Sequence, residues 1–248
     1  MIPLKSEKDL QMLRKSGKIV ACIMRRLQGF IKPGVSTAEI DRLAEELVLG
    51  ESAKPAFKGY KGFPATVCAS INEEIVHGIP SDRLINEGDI ISLDLGINYE
   101  GYFSDTAVTL GLGRIPAKVK KLIEVTKKAL FEGIKQARRE NNLSDISFSI
   151  QNYVEKHGFS VVRAFVGHGI GYKLHEEPEI PNFGKPHQGP ILKNGMVFAI
   201  EPMVNMGTWE SEILDNGWTA VTKDRLPSAH FEHTVAITEN GPEILTVC

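Results

Sequence analysis

Residues 90–110 read IISLDLGINYEGYFSDTAVTL, and they predict two β-strands joined by a turn. Apolar and β-branched side chains are frequent at both ends of this stretch, over residues 90–97 and 102–110. Between them, Asn98 and Gly101 occupy the first and last places of a type I turn. The stretch therefore predicts an antiparallel hairpin.

The hairpin contains two acidic residues, Asp94 and Asp105, and its turn decides how they meet. With the turn centred between Tyr99 and Glu100, the two acids lie directly opposite each other on one face. Cross-strand neighbours are about 5 Å apart, and two like charges there destabilise a sheet. Buried together, the two carboxylates would need a bound cation or a shared proton. A turn shifted by one residue would leave both acids in solvent, and the hairpin alone does not decide between these alternatives.

The rest of the chain predicts two successive sets of helices, each followed by strands. Helices are predicted from periodic apolar residues and end signals at 6–31, 36–50, 116–139 and 144–157. Further strands are predicted at 65–71, 160–166, 196–204, 218–223 and 231–238. The segment that ends at Asp94 resembles the one that ends at Glu201, either by internal duplication or by chance. We predict a single catalytic domain, residues 1–248, with pseudo-repeats at roughly 1–112 and 113–248.

The composition is that of an ordinary globular protein, since 24% of the 248 residues are charged and 42% are hydrophobic. The formal net charge of −2 lacks the basic excess of a DNA-binding protein, so no DNA partner is expected. No apolar run predicts a membrane span, and the start MIPLKSEKDL has no secretory signal. Cys22, Cys68 and Cys248 are odd in number and far apart, so neither a disulfide framework nor a paired zinc site is expected. These features favour a reducing cytoplasm.

Two further acids and a histidine are candidate metal ligands. Glu201 ends the apolar run 196–200, and Glu232 opens the strand-like stretch 231–237. An acid at a strand end is often only an edge residue near water, and a histidine among glycines, such as His168, is more often structural than catalytic. Together with the hairpin pair, however, the set comprises four carboxylates and one imidazole. This oxygen-rich set suits a pair of divalent ions better than a single structural zinc.

The motifs of this chain resemble those of the type I methionine aminopeptidases over essentially its whole length. They are, in order, His77-Gly78-Ile79-Pro80, Asp94, Asp105, Gly167-His168-Gly169-Ile170-Gly171, His175-Glu176-Glu177-Pro178, Glu201-Pro202 and Phe231-Glu232-His233-Thr234. The chain is similar to the bacterial members, because it has no N-terminal zinc-binding extension and no long insertion before Glu232. The resemblance implies a mixed α/β (α+β) pita-bread fold, in which two pseudo-symmetric halves share a central curved antiparallel sheet covered by helices.

The resemblance also implies an active site with two divalent ions, Co, Mn or Fe. The residues similar to the family's metal ligands are Asp94, Asp105, His168, Glu201 and Glu232. Of these, Asp105 and Glu232 would bridge the two ions. The implied catalytic residues are His77, His175 and Glu201.

A methionine pocket is implied at four positions, although such residues are also common in an ordinary core. They are Tyr60, Phe63, Cys68 and Trp218. Two positions depart from the family pattern. Phe57 stands where many bacterial members have a small residue, and Leu174 stands where Phe is common. The detailed shape of the pocket is therefore open, but its apolar character is not.

The resemblance implies hydrolysis of the N-terminal methionine from nascent polypeptides by a monomeric enzyme, and the cytoplasm is the expected location. The ions would activate a water, and Glu201 would accept its proton and pass it to the leaving amine. His175 would donate a hydrogen bond to the developing oxyanion, and His77 would hold the amide beyond the scissile bond. The free α-amine of the substrate would bind one ion, which accounts for exopeptidase action.

Two other functions are open from the sequence. A proline-specific peptidase, aminopeptidase P or prolidase, shares the five ligands but usually has an additional N-terminal domain. A non-catalytic binding protein could reuse the fold, but such proteins typically lose metal ligands. The basic segment 114–139 is interpreted as a solvated helix face, with a transient contact to ribosomal RNA as the alternative. No membrane partner is expected.

Overall fold

A computed structural model describes residues 1–248, which form four α-helices and fifteen β-strands. The helices are α1 Glu7–Phe30, α2 Thr37–Gly50, α3 Ala117–Gln136 and α4 Leu143–Lys156. The first eight strands are β1 Lys54–Pro55, β2 Cys68–Ile71, β3 Glu74–Val76, β4 Ile90–Tyr99, β5 Tyr102–Gly111, β6 Ser160–Val161, β7 Val166–Gly169 and β8 Glu176–Pro181. The other strands are β9 Val197–Ile200, β10 Met203–Asn205, β11 Ser211–Ile213, β12 Ala220–Thr222, β13 Ser228–His230, β14 Glu232–Thr238 and β15 Gly241–Ile244. All four predicted helices are confirmed.

The first two helices begin where the sequence provides capping residues. Oγ of Ser36 accepts a hydrogen bond from the backbone N–H of Glu39, and the Glu39 carboxylate accepts one from the N–H of Ser36. Ser6 and Asp9 form the same capping box at the start of α1. Each box satisfies backbone donors that the first turn of a helix leaves free. One stripe of each helix is apolar and buried, so the helices pack against the sheet or against each other.

The central hairpin is formed by β4 and β5, but its register differs from the prediction. Asp94 pairs with Ala107, and Asp105 pairs with Gly96. The two acids are therefore diagonal neighbours and not directly opposite residues. Since paired residues and alternate residues of a strand share a face, the two acids still lie on the same side of the sheet.

The register differs because the turn forms one residue later than predicted. Glu100 and Gly101 make the turn, with φ of 50° and 88°. A two-residue turn with positive φ at both positions matches the twist of the flanking strands. The expectation that such a shift would expose the acids is wrong, because Asp94 is 8% exposed and Asp105 is 4% exposed.

The main sheet has nine strands. Seven follow the order β1-β4-β5-β14-β9-β7-β8, with β2 on β4 and β15 on β14, and each pairing is antiparallel. Leu93 and Leu95 of β4 pack with α1 and α2, and Phe198 and Ile200 of β9 pack with α3 and α4. Helices thus cover one face of the sheet, and the alternate residues of the same strands occupy the other. The predicted mixed α/β fold with a helix-covered antiparallel sheet is confirmed.

Each helix pair has its own hydrophobic core. One cluster has 20 buried residues and includes the apolar stripes of α1 and α2, and the other has 22 and includes those of α3 and α4. The arrangement is compatible with two similar halves. The pseudo-repeats at 1–112 and 113–248 stay a prediction.

Some strands are shorter or more numerous than predicted. The predicted strand 160–166 is divided between β6 and β7, and the predicted strand 196–204 is interrupted at Glu201 and Pro202. Several short strands are not predicted at all, and β8 is the clearest case. It reads EEPEIP, and acids and prolines have low β-propensity. Pairing with β7 keeps this edge segment extended.

The cysteines also differ from the expectation. Cys22 of α1 and Cys248 form a disulfide, with their Cα atoms 5.3 Å apart. The expectation of no disulfide is wrong. The two cysteines are 226 residues apart in the sequence, and only the folded chain, in which β15 pairs with β14, shows that the C-terminal end lies against α1. Cys68 is free and buried.

The basic helix α3 exposes its charges. Its exposed lysines are Lys118, Lys120, Lys121, Lys127, Lys128 and Lys135. A solvated face and a contact with ribosomal RNA both require this exposure, so each interpretation of the segment stays a prediction. No helix of the chain combines the length and the apolar character needed to cross a membrane.

Helix α1 meets the C-terminal segment at Gly17, where an added Cβ would overlap the carbonyl group of Leu245. We predict that Gly17→Ala lowers the free energy of unfolding by about 1–3 kcal/mol, because overpacking forces the two segments apart. Gly29 is on the same helix and has no atom within 4 Å of an added Cβ. Gly29→Ala should therefore be neutral or stabilising by up to about 1 kcal/mol. Urea unfolding measures both, and equal effects would contradict the close approach.

Candidate metal centre

Two neighbouring rows of side chains cross one face of the main sheet and contain all five predicted ligands. In the first row, Asp94 of β4 pairs with Ala107 of β5, which pairs with Glu232 of β14. Glu201 follows β9 directly and continues this row, one register step beyond the last pair of β14 and β9. Because paired residues of adjacent strands point to the same face, three carboxylates project from this row.

The second row is displaced from the first by two residues along each strand. Asp105 pairs with Gly96, and its backbone N–H donates to Oγ1 of Thr234 at 2.9 Å. Thr234 pairs with Ala199, which in turn pairs with His168 of β7. In the first row Ala107 lies between Asp94 and Glu232, and in the second row Ala199 lies between Thr234 and His168. These small side chains leave space above the sheet beside the ligand side chains.

His168 is oriented for ligation by its own strand. Its Nδ1 lies 2.9 Å from the carbonyl oxygen of Gly169, so Nδ1 carries the hydrogen and donates it. Nε2 is then a free acceptor, and it lies 3.5 Å from Oε1 of Glu201. A Cβ on Gly167 or Gly169 would collide with backbone carbonyl oxygens of neighbouring segments. The glycines around this histidine therefore allow strands to approach each other.

Burial places a strong electrostatic constraint on the acids. Glu232 is 2% exposed, and the side chain of Glu201 is 12% exposed. Desolvation raises the pKa of Asp105 to about 7. The same cause, followed by the charge of Asp105, raises the pKa of the other three carboxyls well above their usual range. Burial lowers the pKa of His168 to about 4, so its imidazole is neutral near pH 7.

The donor atoms fit divalent cations. One ligand atom from each of Asp105, His168 and Glu232 lies within 4.8 Å of the other two. Oδ1 of Asp94 and Oε1 of Glu232 are buried without a hydrogen-bond partner, although buried polar atoms are usually paired. Carboxylate oxygens and an imidazole nitrogen suit first-row divalent metals. The residues present therefore fit a metal centre.

A cavity of about 280 Å³ adjoins these carboxylates. Its walls include the four residues predicted for the methionine pocket, which are Tyr60, Phe63, Cys68 and Trp218. Phe63 and Trp218 meet edge to face, with their ring centroids 5.2 Å apart. One part of the cavity is thus apolar and aromatic, and the other part is lined by the metal-ligating side chains.

The two departures from the family pattern, Phe57 and Leu174, line the same cavity. Phe57 fits against the sheet because Gly96 has no side chain, since a Cβ there would lie 2.7 Å from the phenylalanine ring. Both side chains therefore help to shape the apolar part of the cavity.

The two predicted non-ligand histidines also line the cavity. His77 follows β3 with a φ of 59°, a strained backbone conformation for a residue with a side chain. Its ring meets Phe165 and Trp218 edge-on, at centroid distances of 5.5 and 6.2 Å. His175 is exposed, and its ring centroid lies 4.2 Å from that of His168. The structure thus brings all the predicted site residues to one cavity.

Sequence reasoning missed a further buried histidine, His230. It is 1% exposed, and its Nε2 has no hydrogen-bond partner and lies 3.7 Å from Oε2 of Glu201. Burial lowers the pKa of His230 to about 3, so this imidazole is neutral. One signal in the sequence could have indicated this position. His230 and Glu232 are two residues apart, and residues two apart along an extended chain point to the same face.

Known proteins resemble this chain over nearly its full length. Residues 11–239 match metallopeptidase family M24. The chain is 52% identical over 247 residues to a methionine aminopeptidase of Clostridium perfringens, which covers 100% of this chain and 99% of that protein. A solved methionine aminopeptidase of Thermotoga maritima is 44% identical, with a TM-score of 0.98 and 100% of both chains covered.

A wider likeness extends to a prolidase of Pyrococcus furiosus, with a TM-score of 0.81 at 24% identity. It shows the fold alone, and this chain covers 65% of that longer chain. The resemblance inferred from the motifs, with its pita-bread fold, is confirmed by the relatives of higher identity. On these matches, the chain belongs to metallopeptidase family M24.

Proposed function

We propose that the chain is a metal-dependent aminopeptidase that removes the N-terminal methionine from nascent polypeptides. One observation carries the proposal: a single face of the sheet holds four buried carboxylates and one oriented imidazole. The names of the relatives support the substrate. Two divalent ions, Co, Mn or Fe, are the proposed cofactors. The residues that would hold them are Asp94, Asp105, His168, Glu201 and Glu232.

Glu201 is the proposed general base. When bound, a pair of divalent ions supplies Lewis acidity and lowers the pKa of a water toward neutrality. Glu201 would accept a proton from the attacking water and return it to the leaving amine. Its side chain keeps 12% exposure, and the basic side chains within 4 Å of it are the neutral imidazoles of His168 and His230. No lysine or arginine of the chain therefore holds this carboxylate in an ion pair.

Two histidines are proposed to hold the peptide groups of the substrate. His175 stands beside the ligand His168, from where an N–H can donate to the oxygen of the scissile carbonyl as negative charge develops on it. His77 is proposed to bind the amide beyond the scissile bond. The edge-on contacts with Phe165 and Trp218 restrict the orientation of its ring.

The aromatic part of the cavity is the proposed binding site for the methionine side chain, and it comprises Tyr60, Phe63, Cys68 and Trp218. A thioether packs favourably against aromatic ring edges, and a flexible side chain adapts to an irregular cavity. Burial, followed by the charge of Asp94, raises the pKa of the Cys68 thiol well above its usual value. The thiol is thus neutral and acts as a small apolar wall.

The proposed partners are nascent polypeptide N-termini, and the proposed location is the cytoplasm. The Cys22–Cys248 bond argues against this location, since disulfides are rare there. A monomeric state is proposed from the resemblance. A transient contact with the ribosome is proposed through the exposed lysines of α3, because basic side chains attract phosphates.

The first prediction concerns methionine release from Met-Ala-Ser. Metal-stripped protein should be inactive, and Mn or Co added up to two equivalents should restore release. Asp105→Asn should lower the restored rate about a hundredfold or more, because even residues that only support metal ligands cost 10–100-fold. Asp82→Asn is the matched control, since this carboxylate is exposed and lies outside the cavity.

Three results would contradict this prediction. Full activity of Asp105→Asn would remove that residue from the metal site. Cleavage of Ala-Pro-Ala in place of Met-Ala-Ser would identify a proline-specific peptidase. No release at any metal loading, from protein that is demonstrably folded, would favour a non-catalytic binding protein.

The second prediction concerns the stability of the metal-free protein. A carboxyl whose pKa is higher in the folded than in the unfolded state binds more protons when the protein is folded. Its contribution to the free energy of unfolding is therefore lost as the pH rises through its folded-state pKa. For Asp105 that value is about 7. Above pH 7 the buried histidines are neutral in both states and do not oppose this trend. The free energy of unfolding should therefore fall between pH 7 and 8.5, by up to about 1.4 kcal/mol per pH unit for each carboxyl proton that the folded protein still holds and the unfolded chain has lost. Most of the contribution of Asp105 is already lost at pH 7, so the fall above pH 7 comes mainly from Asp94, Glu201 and Glu232, whose pKa values are raised well above their usual range.

Added divalent metal should reverse this loss, and its stabilising effect should be larger at pH 8.5 than at pH 7. The reason is that protons compete with metal for the same carboxylates. Urea unfolding at each pH, with and without metal, measures both effects. A metal-free protein that becomes more stable over this pH range would contradict the raised pKa values.

A further inference from the structure

We propose that Tyr60 is a positioning residue: its hydroxyl donates a hydrogen bond to Nδ1 of His175 and so fixes the tautomer that carries the hydrogen on Nε2. The inference rests on the proposed function, and it gives Tyr60 a role beyond that of an apolar wall. Through this bond, Tyr60 would decide whether His175 can donate to the substrate.

Tyr60 and His175 contact each other in two ways. Oη of Tyr60 lies 2.9 Å from Nδ1 of His175, which is a hydrogen-bond distance. The two rings are also stacked, with centroids 5.1 Å apart and an angle of 26° between their planes. The stack restricts the tilt of the imidazole, and the hydrogen bond distinguishes one of its nitrogens from the other.

The direction of this hydrogen bond follows from the chemistry of the two groups. A neutral imidazole has one N–H donor and one bare nitrogen that accepts. The phenol oxygen is a weak acceptor, because its lone pair is delocalised into the ring, whereas its O–H is a good donor. Nζ of Lys61 lies 5.5 Å from the centre of the Tyr60 ring, and a positive charge there favours donation by the phenol. Nδ1 is therefore the acceptor.

This tautomer has a direct consequence for the proposed reaction. With Nδ1 accepting, Nε2 of His175 carries the hydrogen, and no group of the chain accepts it. An N–H without an internal partner, in the wall of the cavity, is available to a carbonyl oxygen of the substrate. The other tautomer would present a bare nitrogen, which cannot donate and which repels a developing oxyanion.

The backbone that carries His175 is held independently of Tyr60. The carboxylate of Glu176 pairs with Nζ of Lys5 at 2.6 Å, and both side chains are at most 5% exposed. The same carboxylate accepts a hydrogen bond from the backbone N–H of Tyr172. Loss of the Tyr60 hydroxyl therefore leaves the segment in place and removes only the bond to the imidazole.

Steady-state kinetics with Met-Ala-Ser tests the role. Tyr60→Phe keeps the ring and removes the hydroxyl, so we expect kcat to fall about tenfold and KM to stay within about twofold, because one oriented hydrogen bond is weakened in the transition state. His175→Gln should lower kcat further, and Tyr60→Phe should add no loss in the double variant, because residues that act through each other are not additive.

A matched pair elsewhere provides the control. Tyr153 and His157 of the α4 end also stack, with centroids 4.4 Å apart, but the histidine bonds to a backbone carbonyl and lies outside the cavity. Tyr153→Phe should leave kcat and KM unchanged. If Tyr60→Phe raises KM at constant kcat, or if its effect adds fully to that of His175→Gln, Tyr60 is a pocket wall and the proposal is overturned.

Heteronuclear NMR of isotope-labelled histidine gives a readout that needs no activity. In metal-free protein, the resonances lost in His175→Gln should report a bare Nδ1 and a protonated Nε2. A protonated Nδ1 would overturn the proposal. If the spectrum shows a bare Nδ1 and a protonated Nε2 but the protein releases no methionine, the proposed tautomer is supported and the proposed function is contradicted. Failure of the tautomer proposal and failure of the proposed function are therefore distinguishable.

Discussion

Four carboxyl groups buried on one face of a sheet repel each other when they are ionised, unless positive charge stands between them, and this constraint governs the rest of the molecule. The register of β4, β5, β14 and β9 forces Asp94, Glu232 and Glu201 into one row and Asp105 into the next. Burial then holds their pKa values high. A sheet built in this way is complementary to cations, and its stability and its chemistry are coupled through the same groups.

The surroundings of the carboxylates serve the same purpose. Small residues such as Ala107 and Ala199 lie beside the ligands in their rows and leave room above the sheet. His168 is locked as an acceptor by its bond to Gly169, and His175 is held beside it by Tyr60 and by the anchored Glu176. Helices on the opposite face bury the apolar residues that alternate with the ligands. One strand thus contributes to the core with one set of residues and to the site with the other.

Much of this arrangement could be predicted from the sequence, because long elements carry strong periodic signals. The four helices and the hairpin strands are examples, and the order of the motifs predicted the family. The register was not predictable with the same certainty. Asn98 favoured one turn, while Glu100 and Gly101 form another, and a shift of one residue changes every cross-strand pair.

Contacts between distant segments were the least predictable. Nothing in the sequence places Cys248 beside Cys22, since their approach depends on the pairing of β15 with β14. The bond between Tyr60 and His175 joins residues 115 positions apart and is equally invisible in a linear pattern. His230 lies beside Glu201 because the chain passes from one sheet to another at Phe231, between β13 and β14. In each case the packing of the sheet decides what the side chain touches.

The central claim is that the two rows of ligands hold a pair of divalent ions. X-ray diffraction from manganese-loaded crystals, recorded at the manganese absorption edge, tests it most directly. The account predicts two anomalous peaks about 3.5–4 Å apart, with Asp105 and Glu232 between them, as in other two-metal sites. A single peak, or none at full loading, would contradict the account and would require another explanation for four buried carboxylates on one face.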